Sequence, residues 1–155
     1  MFHENSYKPS QYTPVVKARQ LCDYEFTITD NKNKFPEYEE TEKKDSNGNV
    51  IQTVITLRQD AIINRIRQES FDIYTLAFTA NVIDLRKEPE RKEERFRKQS
   101  EAISLCDVHL ATMELCCLKY GASKKRLAHW GSSIIEVREA LKKWHKSDIE
   151  RYASI

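Results

Sequence analysis

Apolar positions recur every three or four residues along most of the chain, and this spacing predicts four helices. In the first, Val15, Ala18, Leu21, Cys22 and Phe26 share one side, and Pro14 suits the opening turn. The second carries Leu57, Ile62, Ile66, Ile73, Ala77, Val82 and Leu85, widened by Ile63, Phe71, Tyr74 and Phe78. Thr56 is its expected cap and Lys87 its approximate end. Pro89 must break or kink it, because the proline ring clashes with a helical residue before it. A third helix then starts at Pro89 and runs to about Tyr120. Phe96, Ala102, Ile103, Cys106, Leu110, Met113 and Cys117 lie down one side of it, and Gly121 is placed to end it. The fourth opens near Ser123, with Leu127, Trp130, Ile134, Val137, Leu141 and Trp144 at heptad-like spacing. Over so short a length, beside other apolar faces, this predicts bundle packing rather than a free coiled coil.

The expected fold is therefore all-α, an antiparallel four-helix bundle over residues 14–151, with an N-terminal arm (1–13) and a short tail (152–155). Residues 29–56 depart from the helical pattern. Asp45-Ser46-Asn47-Gly48-Asn49 is a turn signal between an acidic stretch, Tyr38 to Lys43, and the β-branched alternation Val50 to Thr56. This insertion reads as an acidic β-hairpin or a mobile loop.

A chain of 155 residues, 39% hydrophobic and 32% charged, suits one domain with a real core and a wet surface. No apolar run approaches the roughly 18 residues of a membrane helix, and the first residues have no signal-peptide pattern, so the expected location is cytoplasmic, without membrane contact. Lys and Arg number 26 against 24 Asp and Glu, a net charge of +2, too little to attract nucleic acid by itself. The distribution is uneven: up to Thr56 there are seven basic and nine acidic residues, so the remainder is basic.

Compact catalytic motifs are missing: no Gly-x-Ser-x-Gly, His-Glu-x-x-His, phosphate loop or dinucleotide glycine pattern. The sequence gives no positive sign of an enzyme, and Glu114, a carboxylate within an apolar stretch, suits a helix partner or solvent better than catalysis. Cys106, His109, Cys116, Cys117 and His129 offer zinc-compatible donors, but the cysteines lie in apolar register and read as reduced core side chains, as does Cys22. No metal or cofactor is expected.

Basic residues are the more informative polar feature. Lys87, Arg91, Arg95 and Lys98 fall on one helical stripe, which can meet phosphates or form a solvated, self-paired helix start with Glu88, Glu93 and Glu94. Lys124, Lys125 and Arg126 open the fourth helix, where cations oppose the helix dipole and stability does not explain them. In an antiparallel pair these two clusters lie at opposite ends, so oligomerisation rather than one monomer site would concentrate the charge.

Several segments in order resemble the bacterial and phage four-helix-bundle family that includes the accessory variability determinant (Avd) of diversity-generating retroelements and the proteins encoded in 23S rRNA intervening sequences. They are Lys17 to Tyr24, Lys34-Phe35-Pro36, Ile66, Ala80-Asn81, Arg95-x-x-x-Gln99 and Trp144-x-x-Ser147-Asp148-x-x-Arg151. The resemblance implies a bundle that self-associates as a pentamer and, without chemistry of its own, binds a reverse transcriptase and its template RNA or cDNA during mutagenic reverse transcription. Of the basic residues, Arg95 coincides with the family pattern; Lys87, Arg91, Lys98, Lys124, Lys125 and Arg126 are nominated from charge placement. The acidic insertion departs from the family's compact link. The alternative is a homo-oligomeric interaction module without nucleic-acid binding.

Overall fold

The computed structural model describes residues 7–36, 38–57 and 62–154. Residues 1–6 of the expected arm lie outside them. The elements are α1 (Thr13–Thr29), β1 (Tyr38–Lys44), β2 (Val50–Leu57), α2 (Ile62–Asn81), a short 3-10 turn (Pro89–Arg91), α3 (Lys92–Tyr120) and α4 (Lys124–Arg151). The four helices pack together: α1 against α2, α2 against α3, α3 against α4, and α4 against α1. None is long and apolar enough to cross a membrane, among the described residues.

Local chemistry explains the helix ends. Pro14 sits in the first turn of α1, where its missing N–H costs nothing. After α1, the Asn31 side chain accepts from the backbone N–H groups of Asn33 and Lys34, bending the chain so that Phe35 turns inward. Phe35 then meets Tyr120 and Trp130 edge to face, and the Tyr120 hydroxyl donates to the Pro36 carbonyl. Gly121, at φ +63°, ends α3 in the left-handed region, and the Ser123 hydroxyl caps α4 by accepting from Arg126 N.

The insertion is a hairpin. β1 and β2 pair antiparallel from Tyr38↔Leu57 to Lys44↔Val50, with a bulge near Lys43 and Lys44, and Gly48 takes φ +82° in the turn. Thr56 and Leu57 belong to this strand, which corrects the expectation that they cap and begin α2. Their neighbourhood is β-branched from Val50 to Thr56, and cross-strand pairing wins over the helical period. The strands pack on each other and make at most a glancing contact with the helices.

α2 also ends earlier than expected, at Asn81 rather than near Lys87. The Asp84 carboxylate accepts from Arg86 N, while the Asp84 carbonyl accepts from Lys87 and Glu88 N, so Asp84 organises its own turn instead of extending a helix. In consequence Val82, expected on the apolar face, is exposed, whereas Ile83 and Leu85 fold under the bundle end.

The core contains Val15, Ala18, Leu21, Ile66, Ile73, Ala77, Ala102, Cys106, Met113, Trp130, Ile134, Val137, Leu141 and Trp144. All four cysteines are buried and unbonded to one another. Phe26, expected inside, lies on the surface beneath the Arg67 guanidinium.

Candidate functional site

Two polar networks lie inside the bundle. The first takes one acidic, basic or aromatic residue from each helix. His109 on α3 meets Glu69 of α2 through Nδ1, at 2.9 Å, and Glu25 of α1 through Nε2. Trp130 of α4 donates to Glu25 at 2.8 Å, and Thr112 and Arg65 donate to Glu69. Glu25 and His109 are fully buried. A carboxylate on each ring nitrogen makes both nitrogens donors, so the imidazole is held in its charged form. Burial alone would lower the His109 pKa, but the hydrogen bonds and charges of Glu25 and Glu69 prevail and raise it to about 9. Burial pushes the Glu69 carboxyl upward, and its bonds to His109, Thr112 and Arg65 outweigh that and hold it below the usual range. With Arg65 included, two carboxylates face two cations, which is how such charges become tolerable in a core.

Acid, base and imidazole together invite a catalytic reading, but this set is closed to substrate and its ring nitrogens are both engaged. Its visible role is to key the four helices into one register. Glu25, Glu69 and His109 each stand in line with apolar neighbours: Leu21 and Ile28, Ile66 and Ile73, Cys106 and Met113. A charged residue in apolar register was the available signal for the network.

The second network closes the opposite end of the bundle. Arg95 Nε donates to Asp148 Oδ2 at 2.7 Å, Arg95 Nη1 to the Ile83 carbonyl at 2.6 Å, and Gln99 Nε2 to the same Asp148 oxygen at 2.6 Å. His145 Nδ1 lies 2.7 Å from Gln99 Oε1, which fixes it as the donor. The Arg95 guanidinium stacks over the rings of Trp144 and Tyr152, and Tyr12 meets Trp144 edge to face. Arg95, Gln99, Trp144 and Asp148, which come from the two resemblance segments in α3 and α4, thus meet in one buried cluster.

This placement corrects the basic stripe. Arg95 is buried and points inward, so it is a clamp between helices rather than a phosphate contact. Arg91 is bound by Glu88 and twice by Glu94, which offsets its charge. Lys87 is exposed and Lys98 half-buried, and neither has an ion pair among the described residues. At the other end, Lys124 and Lys125 are exposed, while Arg126 donates to the Tyr24 hydroxyl at 2.8 Å and lies over its ring. Lys92 reaches the Tyr152 carbonyl, so α3 starts where α4 stops. The two clusters are therefore separated by most of α3, whose 29 residues span about 43 Å at 1.5 Å each.

The metal donors weighed in sequence do not assemble: His109 is committed to two carboxylates, and no group of three or more ligands gathers among the described residues. Burial raises the thiols of Cys106 and Cys116 to about 12 and that of Cys22 to about 11. Glu114 is exposed.

The outer face of α3 is less polar than solvent exposure would lead one to expect. Val108, Ala111, Leu115 and Leu118 form an exposed line at spacings of three and four, with Leu115 60% and Leu118 70% accessible. Compared with known family models, curated proteins and solved structures, the chain matches none.

Proposed function

We propose that the protein is a non-catalytic, self-associating helical adaptor that holds a reverse transcriptase and its template RNA or cDNA. The observation that carries the reading is the convergence of Arg95 and Gln99 with Trp144 and Asp148, up to 53 positions away, in one buried cluster. The contacts also support an antiparallel arrangement: Tyr12, Lys17 and Tyr24 of the rising chain meet Trp144, Glu136 and Trp130 in falling order. Likewise Arg95 and Asp107 meet Asp148 and Arg138. The apolar line on α3 is the kind of surface that assembly, as a pentamer in this reading, would cover. Lys87, Lys98, Lys124 and Lys125 are the cations left for phosphate, and repetition around a ring would multiply them.

A second reading, a self-associating protein-interaction module without nucleic acid, draws its support from the inward-facing Arg95 and the neutralised Arg91. One experiment separates them: the protein is purified from its native host in the cytoplasmic fraction, and the complex mass, protein partners and retained RNA are measured together. A polymerase with a structured RNA on an oligomer agrees with the first reading. A nucleic-acid-free oligomer bound to another protein replaces it with the second.

A further inference from the structure

The hairpin is an element without a place to pack. A two-stranded sheet alone is marginal in water, and this one receives little from the helices. It nevertheless exposes large apolar side chains: Ile51 is 67% and Ile55 63% accessible, with Tyr38 and Val50 about half exposed. The pairing Glu40↔Ile55 and Glu42↔Thr53 puts Ile55, Tyr38 and two carboxylates, Glu40 and Glu42, on one face. That face wants an apolar surface edged with cations.

The chain carries such a surface at the α3–α4 corner. Arg138 pairs with Asp107 and Gly131 lies against Met113, so the α4 stripe Arg138, Gly131, Lys124, with seven-residue spacing, borders α3. Leu118 lies eleven residues beyond Asp107, on the matching edge of α3. Leu118 thus stands on the edge of α3 nearest Lys124, with Leu115 further round on the outer face of α3 and Lys125 one position further round α4.

We propose that the Tyr38–Ile55 face of the hairpin docks on the α3–α4 corner of a second copy of the chain, with Glu40 and Glu42 meeting Lys124 and Lys125. The hairpin is rooted at Phe35 and Pro36, which are pinned to Tyr120 and Trp130, at the same end of the bundle as that corner. The root of the donor and the receiver therefore lie at the same end of the bundle. A head-to-tail contact of this kind gives a ring where its rotation closes and a filament where it does not. The inference rests on the self-association part of the proposed function; Lys124 and Lys125 then serve the contact between copies, which leaves Lys87 and Lys98 for phosphate.

The test uses two double variants of the full chain, E40K/E42K and K124E/K125E, with complex mass followed by light scattering against concentration and helicity by circular dichroism. All four positions are exposed, so helicity should be unchanged. Each variant alone should dissociate at a concentration at least tenfold above wild type. An equimolar mixture should recover mass through contacts between unlike variants, each of which sets a hairpin against a corner of opposite charge; a five-membered ring would still hold one like-charged contact, so the recovered species are open or even-numbered. Unchanged mass in both variants, or a mixture that stays dissociated, overturns hairpin docking while leaving self-association standing. A wild-type chain that is monomeric throughout overturns both.

Discussion

Arg95 Nε and Asp148 Oδ2 lie 2.7 Å apart although the residues are 53 positions apart in sequence, and they tie α3 to the last turn of α4. Asp148→Ala leaves a buried guanidinium without its counter-charge and should cost about 3–5 kcal/mol in urea denaturation. Arg95→Lys should recover only part of that loss when compared with Arg95→Ala, because one ammonium cannot reproduce the fork that reaches both Asp148 and the Ile83 carbonyl. Wild-type stability in Asp148→Ala would remove the pair from the anchors of the fold.

Stability should fall at alkaline pH through His109. Its folded pKa of about 9 lies above the unfolded value near 6.5. The contribution is therefore complete below about pH 6.5 and lost as pH rises through about 9, roughly 3 kcal/mol in all. Glu69 works in the other direction, contributing above its unfolded pKa and losing that contribution as pH falls. Denaturation midpoints at pH 6 and 9.5 should differ in wild type by more than in His109→Gln. Equal differences would assign the titration to other groups.

RNA binding, if phosphates are the ligand, should depend on Lys87 and Lys98 rather than on the full basic stripe. Changing both to Gln should weaken binding and flatten its salt dependence by as much as about 0.7 per lost contact on single strands. The Arg91→Gln variant should change affinity little, since Glu88 and Glu94 already hold that guanidinium. A double variant with wild-type affinity and salt slope would remove these positions from the interface.

The cysteines should be chemically silent. Burial raises all four thiols, so at pH 8 they carry little thiolate and give reagents no access. A disulfide reagent should titrate none of them in native protein and four after denaturation. Rapid labelling of native protein would show an opening that exposes the core.

Much of the architecture was legible because its signals are local. Gly121 and Ser123 mark ends by backbone chemistry, and Trp130 to Trp144 mark a face by spacing alone. The boundary of α2 was not, because Val50 to Leu57 supports two periods at once and only pairing with Tyr38 to Lys44 decides between them. The basic stripe was misread at Arg95 for a similar reason: helical spacing tells which side a residue occupies, but not that Asp148 waits on that side. Glu25, Glu69 and His109 interrupt apolar lines conspicuously, yet their mutual proximity depends on three helices at once.

The turn of Gly121, Ala122 and Ser123 joins the two longest helices with only three residues between them. Closing so short a connection costs little chain entropy compared with bringing α1 to α2 across the hairpin. The α3–α4 pair is thus the natural folding nucleus, and the α1 contacts arrive late. Conservative truncation at Val137 or Met113 should slow refolding, whereas truncation at Val15 should mainly speed unfolding. The corner that ends two helices would then be the first part of the molecule to take shape.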